Sequence, residues 1–139
     1  DVVVGREARM AALRAGPGAY VLAAERRDGF VLRGWRRELG IDGFTPPGGP
    51  VGCDDRGCRL GRDGRTLAVA LRPNALTLDC AADLVLNLAS DTRCPGRVTV
   101  TRSDLRAKGA LALRFSEPPR LRFVDAEEGR RPWQRPDRD

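Results

Sequence analysis

The sequence predicts an α/β fold, a mixed sheet with short helices. Three observations carry that prediction. Residues 67–71 (LAVAL) and 84–88 (LVLNL) are nearly continuous apolar runs rich in Val and Leu, the pattern of strands covered on both faces. Between them, Pro73 and Asn74 introduce a helix-compatible segment, 75–80, suited to a crossover. The pair reads as a β-α-β unit with two parallel strands in one sheet, to which the rest of the chain adds edge strands and covering helices. The same grammar recurs at 97–101, a short helix, and 110–115.

The elements follow in order. Residues 1–22 read as two or three strands (DVVV, ARMAAL, AYVLA), with GPG at 16–18 as a tight turn, hence a hairpin or meander. From Asp28 the period changes to four: Val31, Trp35 and Leu39 recur with Arg33, Arg36 and Arg37 between them. Asp28 can cap the start of this amphipathic helix and Gly40 can end it. Trp35 reads as a core residue, with base stacking as the competing role. Residues 42–52 are turn-formers almost throughout. In CDDRGCRL, Cys53 and Cys58 bracket a hairpin turn, and GRDGRT makes a second turn into the central strand. After the central unit come a loop (SDTRCPG), a strand (VTVT), a helix with Ser103 as its cap, a strand (ALALRF) and an edge strand at 121–124 beside Pro118 and Pro119.

At 139 residues the chain is the size of one domain, assigned to 1–133 with a loose tail at 134–139. With 41% hydrophobic and 32% charged residues it is a folding chain, not a disordered one. No apolar run approaches the roughly 20 residues that span a bilayer. The strand DVVV opens at Asp1 with no methionine or basic leader before it, as expected of a piece of a longer protein. Net charge is +6 with a pI near 10.1, and Lys108 is the only lysine. Arginine binds phosphate bidentately and stacks on bases, which fits nucleic acid; arginines scattered along a chain also fit the codon usage of a G- and C-rich genome.

Histidine is absent. No Ser-His-Asp or Cys-His nucleophile and no His-ligated zinc can be built. There is no Walker-type loop and no dinucleotide fingerprint after a strand. Asp54-Asp55 and Glu127-Glu128 are the adjacent acidic pairs, both in loops. The four cysteines, Cys53, Cys58, Cys80 and Cys94, do not follow the paired C-x2-C spacing of structural zinc sites. Disulfides Cys53–Cys58 and Cys80–Cys94 would be local and easy to close; buried thiols and a four-thiolate metal site are the alternatives. Disulfides would place folding outside the cytoplasm.

The succession CDDRGCRL, a Gly-rich turn, RTLAVALRPNALTLDCAADLVLN, a cysteine, RVTVTRSDLRAKGALAL and a closing GRRPW resembles the C-terminal soluble region of ComEC-type competence proteins. The resemblance extends over nearly the whole chain, including DGFVLRGWRRELG. It implies a truncated metallo-β-lactamase-like scaffold, the C-terminal piece of a DNA-uptake channel on the periplasmic face of the inner membrane. Members with a complete domain carry Ala-Asp-x-Leu-Lys-x-Pro-His-His-Gly-Ser, which supplies metal contacts. Here the matching stretch is 82–90, with Ala89 and Ser90 where the two histidines would stand and 70–73 in place of a Gly-Asp pair. The expectation is a catalytically inactive domain without cofactor, metal or small-molecule substrate. Its partners would be the channel portion of the same protein and single-stranded DNA, contacted through Arg33, Arg36, Arg37, Arg130 and Arg131. Two alternatives stand beside it: a nuclease holding metal through Asp54, Asp55, Asp79 or Asp83, and a protein-interaction domain unrelated to DNA.

Overall fold

The computed structural model describes residues 2–24, 29–41, 43–75, 80–114 and 120–124. Ten strands form two five-stranded sheets. Sheet A has the order β10-β9-β1-β2-β3, from β1 (Val2–Val4), β2 (Met10–Gly16), β3 (Ala19–Ala24), β9 (Ala110–Arg114) and β10 (Arg120–Val124), all antiparallel. Sheet B has the order β4-β5-β6-β7-β8, from β4 (Val51–Asp54), β5 (Gly57–Arg62), β6 (Arg65–Ala70), β7 (Leu84–Asn87) and β8 (Val98–Thr101). Two α-helices complete the described residues, α1 (Gly29–Leu39) and α2 (Arg102–Lys108).

The central pair forms as expected: β6 and β7 are parallel neighbours, with Leu67 opposite Leu84 and Val69 opposite Leu86. A single 3-10 turn, Pro73–Ala75, opens the crossover; the rest of the expected crossover helix, 76–79, lies outside the described residues. Each hairpin follows from its turn chemistry. Asp63-Gly64 joins β5 to β6 with both residues at positive φ (56° and 77°), as a type I′ turn requires. Pro17-Gly18 joins β2 to β3, with Gly18 at φ 69° after a proline that presets its own φ. Gly40, at φ 72°, ends α1 and donates its N–H to the Arg36 carbonyl at 3.2 Å, a left-handed cap.

The expected single sheet is not what forms. The two sheets pack face to face: Val2, Leu13, Val21 and Leu111 of sheet A meet Leu60, Leu67, Leu84 and Leu86 of sheet B in one core. The outer face of sheet A, through Met10 and Ala12, receives Trp35 and Ile41, so Trp35 is a core residue. The outer face of sheet B, Ala68 and Val85, is covered by Ala82 and Cys94, with half-buried Cys80 against them. Central strands covered on both sides explain the unbroken LAVA run.

The second β-α-β unit is also corrected, because β8 and β9 belong to different sheets. A seven-residue helix is only about 10 Å long. Its Leu105 is fully buried in the core between the sheets, so α2 closes the side of the sandwich and passes the chain from one layer to the other. Its cap is Thr101, not Ser103: Thr101 Oγ1 accepts from the Asp104 N–H at 3.3 Å, and Asp104 Oδ2 accepts from the Thr101 N–H at 3.0 Å.

Gly57 begins β5 opposite Ala70 of β6, and a Cβ there would run into the carbonyl oxygen of Val69. Gly57→Ala must therefore push β5 from β6 and is expected to cost several kcal/mol, more than the ~1 kcal/mol typical of a point substitution. Leu105→Ala is expected to cost about 2–5 kcal/mol. Urea unfolding followed by circular dichroism measures both.

Candidate functional site

Helix α1 presents the clearest arrangement of charge. Trp35 points into the outer layer of sheet A, which turns Arg33, Arg36 and Arg37 outward, and all three are exposed. Arg33 and Arg37 are one helical turn apart, with Arg36 beside them, and Phe30 lies one turn before Arg33. Phe30 is 75% exposed, the most exposed of the large apolar side chains among the described residues. The Arg33 guanidinium folds back toward Gly29, where an added Cβ would meet Arg33 Nη1 at 3.4 Å. Three expected arginines therefore share one surface with an aromatic ring that sequence reasoning had passed over. Its signal was visible: Phe30 falls off the Val31-Trp35-Leu39 stripe. Arg130 and Arg131 lie outside the described residues.

The cysteines pair as Cys53–Cys58 and Cys80–Cys94, leaving none free. Cys53 and Cys58 are directly opposite in the β4–β5 ladder. Cys80 and Cys94 tie the end of the crossover to the loop between β7 and β8, over the outer face of sheet B.

The carboxylates do not assemble. Asp54 is at the end of β4, where its Oδ1 accepts from the N–H groups of Arg56 (2.8 Å) and Gly57 (3.1 Å). Asp83 stands before β7, where its Oδ2 accepts from the Thr66 N–H at 2.9 Å and fixes the start of β7 beside β6. Because β4 and β7 run in the same direction, the end of one and the start of the other lie at opposite ends of sheet B. Asp55 is exposed in the same turn as Asp54, and Asp79 lies outside the described residues. Among the described residues no three His, Cys, Asp or Glu side chains are placed to hold a metal ion.

The carboxyl ends of β6, β7 and β8 border a cleft of about 330 Å³. Leu71 and Pro73 follow β6, Leu88 and Ala89 follow β7, and Arg102 follows β8; Ala8 and Arg9 reach in from the β1–β2 turn. The two stretches that the resemblance equates with metal-ligating segments, 70–73 and 82–90, thus meet at one place. Their chemistry there is not that of ligands. Asn87, fully buried, donates from Nδ2 to Ser90 Oγ (3.0 Å) and to the Thr92 carbonyl (2.8 Å), and its Oδ1 accepts from the N–H groups of Ala89 (3.0 Å) and Ser90 (3.1 Å). The amide is saturated by the loop it folds. These residues do not fit a metal.

A charge-assisted pair holds the other side of that loop. Arg93 donates to Asp104 Oδ1 at 2.8 Å and to the Thr99 carbonyl at 2.9 Å. Burial pushes the Asp104 carboxyl up, but the hydrogen bonds from Arg93 and from the Thr101 N–H outweigh it and hold the group below the usual carboxylate range. Asp54 is held below that range first by the Arg56 N–H, then by Gly57.

Two outcomes are expected. Asn87→Ala strips the Ala89 and Ser90 N–H groups of their acceptor and costs about 1–3 kcal/mol in urea unfolding. Because the Asp104 pKa is lower folded than unfolded (about 3.9), its contribution is complete above the unfolded value and lost as pH falls through the folded one. Stability therefore falls as pH drops below about 4, and Asp104→Asn flattens that part of the curve.

No family model, curated protein or solved structure matches this chain, so the residues themselves carry the functional assignment.

Proposed function

We propose that this chain is a catalytically inactive, disulfide-tied domain of metallo-β-lactamase-like descent. It serves a ComEC-type DNA-uptake protein on the periplasmic face of the inner membrane and touches single-stranded DNA in passing. The observation that carries the DNA contact is the outer surface of α1, where Arg33, Arg36 and Arg37 follow exposed Phe30 along the helix. Arginines follow the phosphates while an aromatic ring takes a base, and neither discriminates strongly among sequences. The inactive character is supported by the cleft at the carboxyl ends of β6 and β7, where the two equated stretches meet without a ligand set and Asn87 is spent on its own loop. The paired cysteines favour an oxidising compartment. The carboxylate-metal nuclease loses ground to the separation of Asp54 from Asp83 along sheet B.

Binding of a labelled oligothymidylate, followed by fluorescence anisotropy against salt, tests the contact. Three arginine–phosphate contacts give a log–log slope of about −2 on a single strand. Phe30→Ala is expected to weaken binding about tenfold, the effect of one lost base stack, and the Arg33→Gln, Arg36→Gln, Arg37→Gln variant to abolish it. A salt-independent signal, or unchanged binding by the triple variant, sinks the assignment. Plasmid DNA with magnesium or manganese should stay intact; degradation lost with chelator and in Asp83→Ala would restore the nuclease.

A further inference from the structure

The geometry points to a second anion site, distinct from α1: the cleft at the carboxyl ends of β6, β7 and β8 takes a phosphomonoester of nucleotide size, held between Arg102 and Arg9.

Arg102 supplies the first reason. It lines the cleft at the end of β8, its backbone N–H donating to the Ser90 carbonyl at 3.4 Å. Its Nε is buried and has no hydrogen-bond partner. Arg102 as a whole is only partly buried, and an Nε left without an acceptor costs stability that an anion beside it can offset. The nearby Asp91 carboxylate accepts from the Ser103 N–H at 2.9 Å and is held below the usual carboxylate range first by its hydrogen bonds to Ser103 and then by the Arg102 charge, so it offsets part of the positive charge there. Arg9 supplies the second reason, lining the cleft from the β1–β2 turn of the other sheet, so that the two arginines border it from separate layers. Ala8, which precedes Arg9, is buried with φ 60°, a conformation uncommon outside glycine. The turn that brings Arg9 to the cleft is thus held in a strained form, as at binding sites more often than elsewhere.

Position and shape supply the third. Three successive parallel strands end at the cleft, so the segments that follow them line one place. No acidic residue lines it among the described residues, while Leu71, Pro73, Leu88 and Ala89 form an apolar wall. A volume of about 330 Å³ exceeds what a bare phosphate needs and lies at the lower end of small-molecule pockets. A phosphate between the arginines with a sugar or base against the apolar wall uses both halves. The ligand is a free nucleoside monophosphate or the phosphorylated end of a strand; the chemistry is the same.

Titration calorimetry on the whole chain distinguishes these cases, with thymidine monophosphate, thymidine, inorganic phosphate, and decathymidylate with and without a 5′-phosphate. Thymidine monophosphate is expected to bind more tightly than inorganic phosphate, and thymidine not to bind. Arg102→Gln and Arg9→Gln should each weaken the monophosphate about tenfold or more, the loss of one charge-assisted contact, and Arg33→Gln should leave it unchanged. Arg9 is exposed, so its variant tests the site without disturbing the core. Preference for the 5′-phosphorylated decamer identifies a strand end as the source; binding of the mononucleotide alone identifies a free nucleotide. Equal binding of thymidine and its monophosphate, or wild-type affinity in both arginine variants, overturns the inference. If no probe is retained here while the α1 triple variant still loses single-stranded DNA, this site falls and the α1 contact stands.

Discussion

The structure depends on covering a sheet that is apolar on both faces. Leu67, Val69, Leu84 and Leu86 face one side of sheet B, and Ala68 and Val85 the other. Each large side chain taken from water contributes about 1.5–3 kcal/mol, so neither face can be left open in a chain of this size. The large residues face the deeper partner, sheet A, where Leu13, Val21 and Leu111 match them. Ala68 and Val85 face the shallower one, a loop layer brought close by Cys80–Cys94. Leu67, Leu84 and Leu86 thus gather on the face that meets a sheet, a sorting the loop-facing side does not need.

That sorting explains what the sequence could and could not reveal. The β6–β7 pair was legible because unbroken LAVA and LVLN runs have few other homes, and the hairpins were legible because Asp63-Gly64 and Pro17-Gly18 permit few other turns. The number of sheets was not. Strand patterning shows that a face is buried without showing what buries it, and VTVT-helix-ALALR reads alike whether its second strand returns to the same sheet or crosses to another. The deciding residue is Leu105, whose burial between the layers is a tertiary fact. The cap of α2 was legible and missed: T-R-S-D carries the Thr and Asp of a capping box, and Ser103 lies two residues inside it.

The candidate surfaces divide in the same way. The α1 arginines could be found because helical spacing fixes which residues share a face. Arg9 and Arg102 could not, since 93 positions separate them and only the packing of one sheet on the other brings both to one cleft. Nothing local distinguishes them from the other arginines of a chain that has a single lysine.

The lack of histidine removes one kind of chemistry from that cleft and leaves another in place. Metal-centred hydrolysis needs several ligands converging within about 2 Å of one point, whereas recognition of an anion needs only cationic donors and a wall. The end of sheet B has features that serve the second: parallel strands ending together, a turn from the other sheet beside them, and a loop stiffened by Asn87 and by Arg93–Asp104. Arg102 Nε is buried there without a hydrogen-bond partner, a group that costs stability where a shorter apolar side chain would not. Arg102 is therefore the residue through which the proposed anion site couples to the fold: an anion that completes its donors stabilises the folded chain as well as filling the cleft.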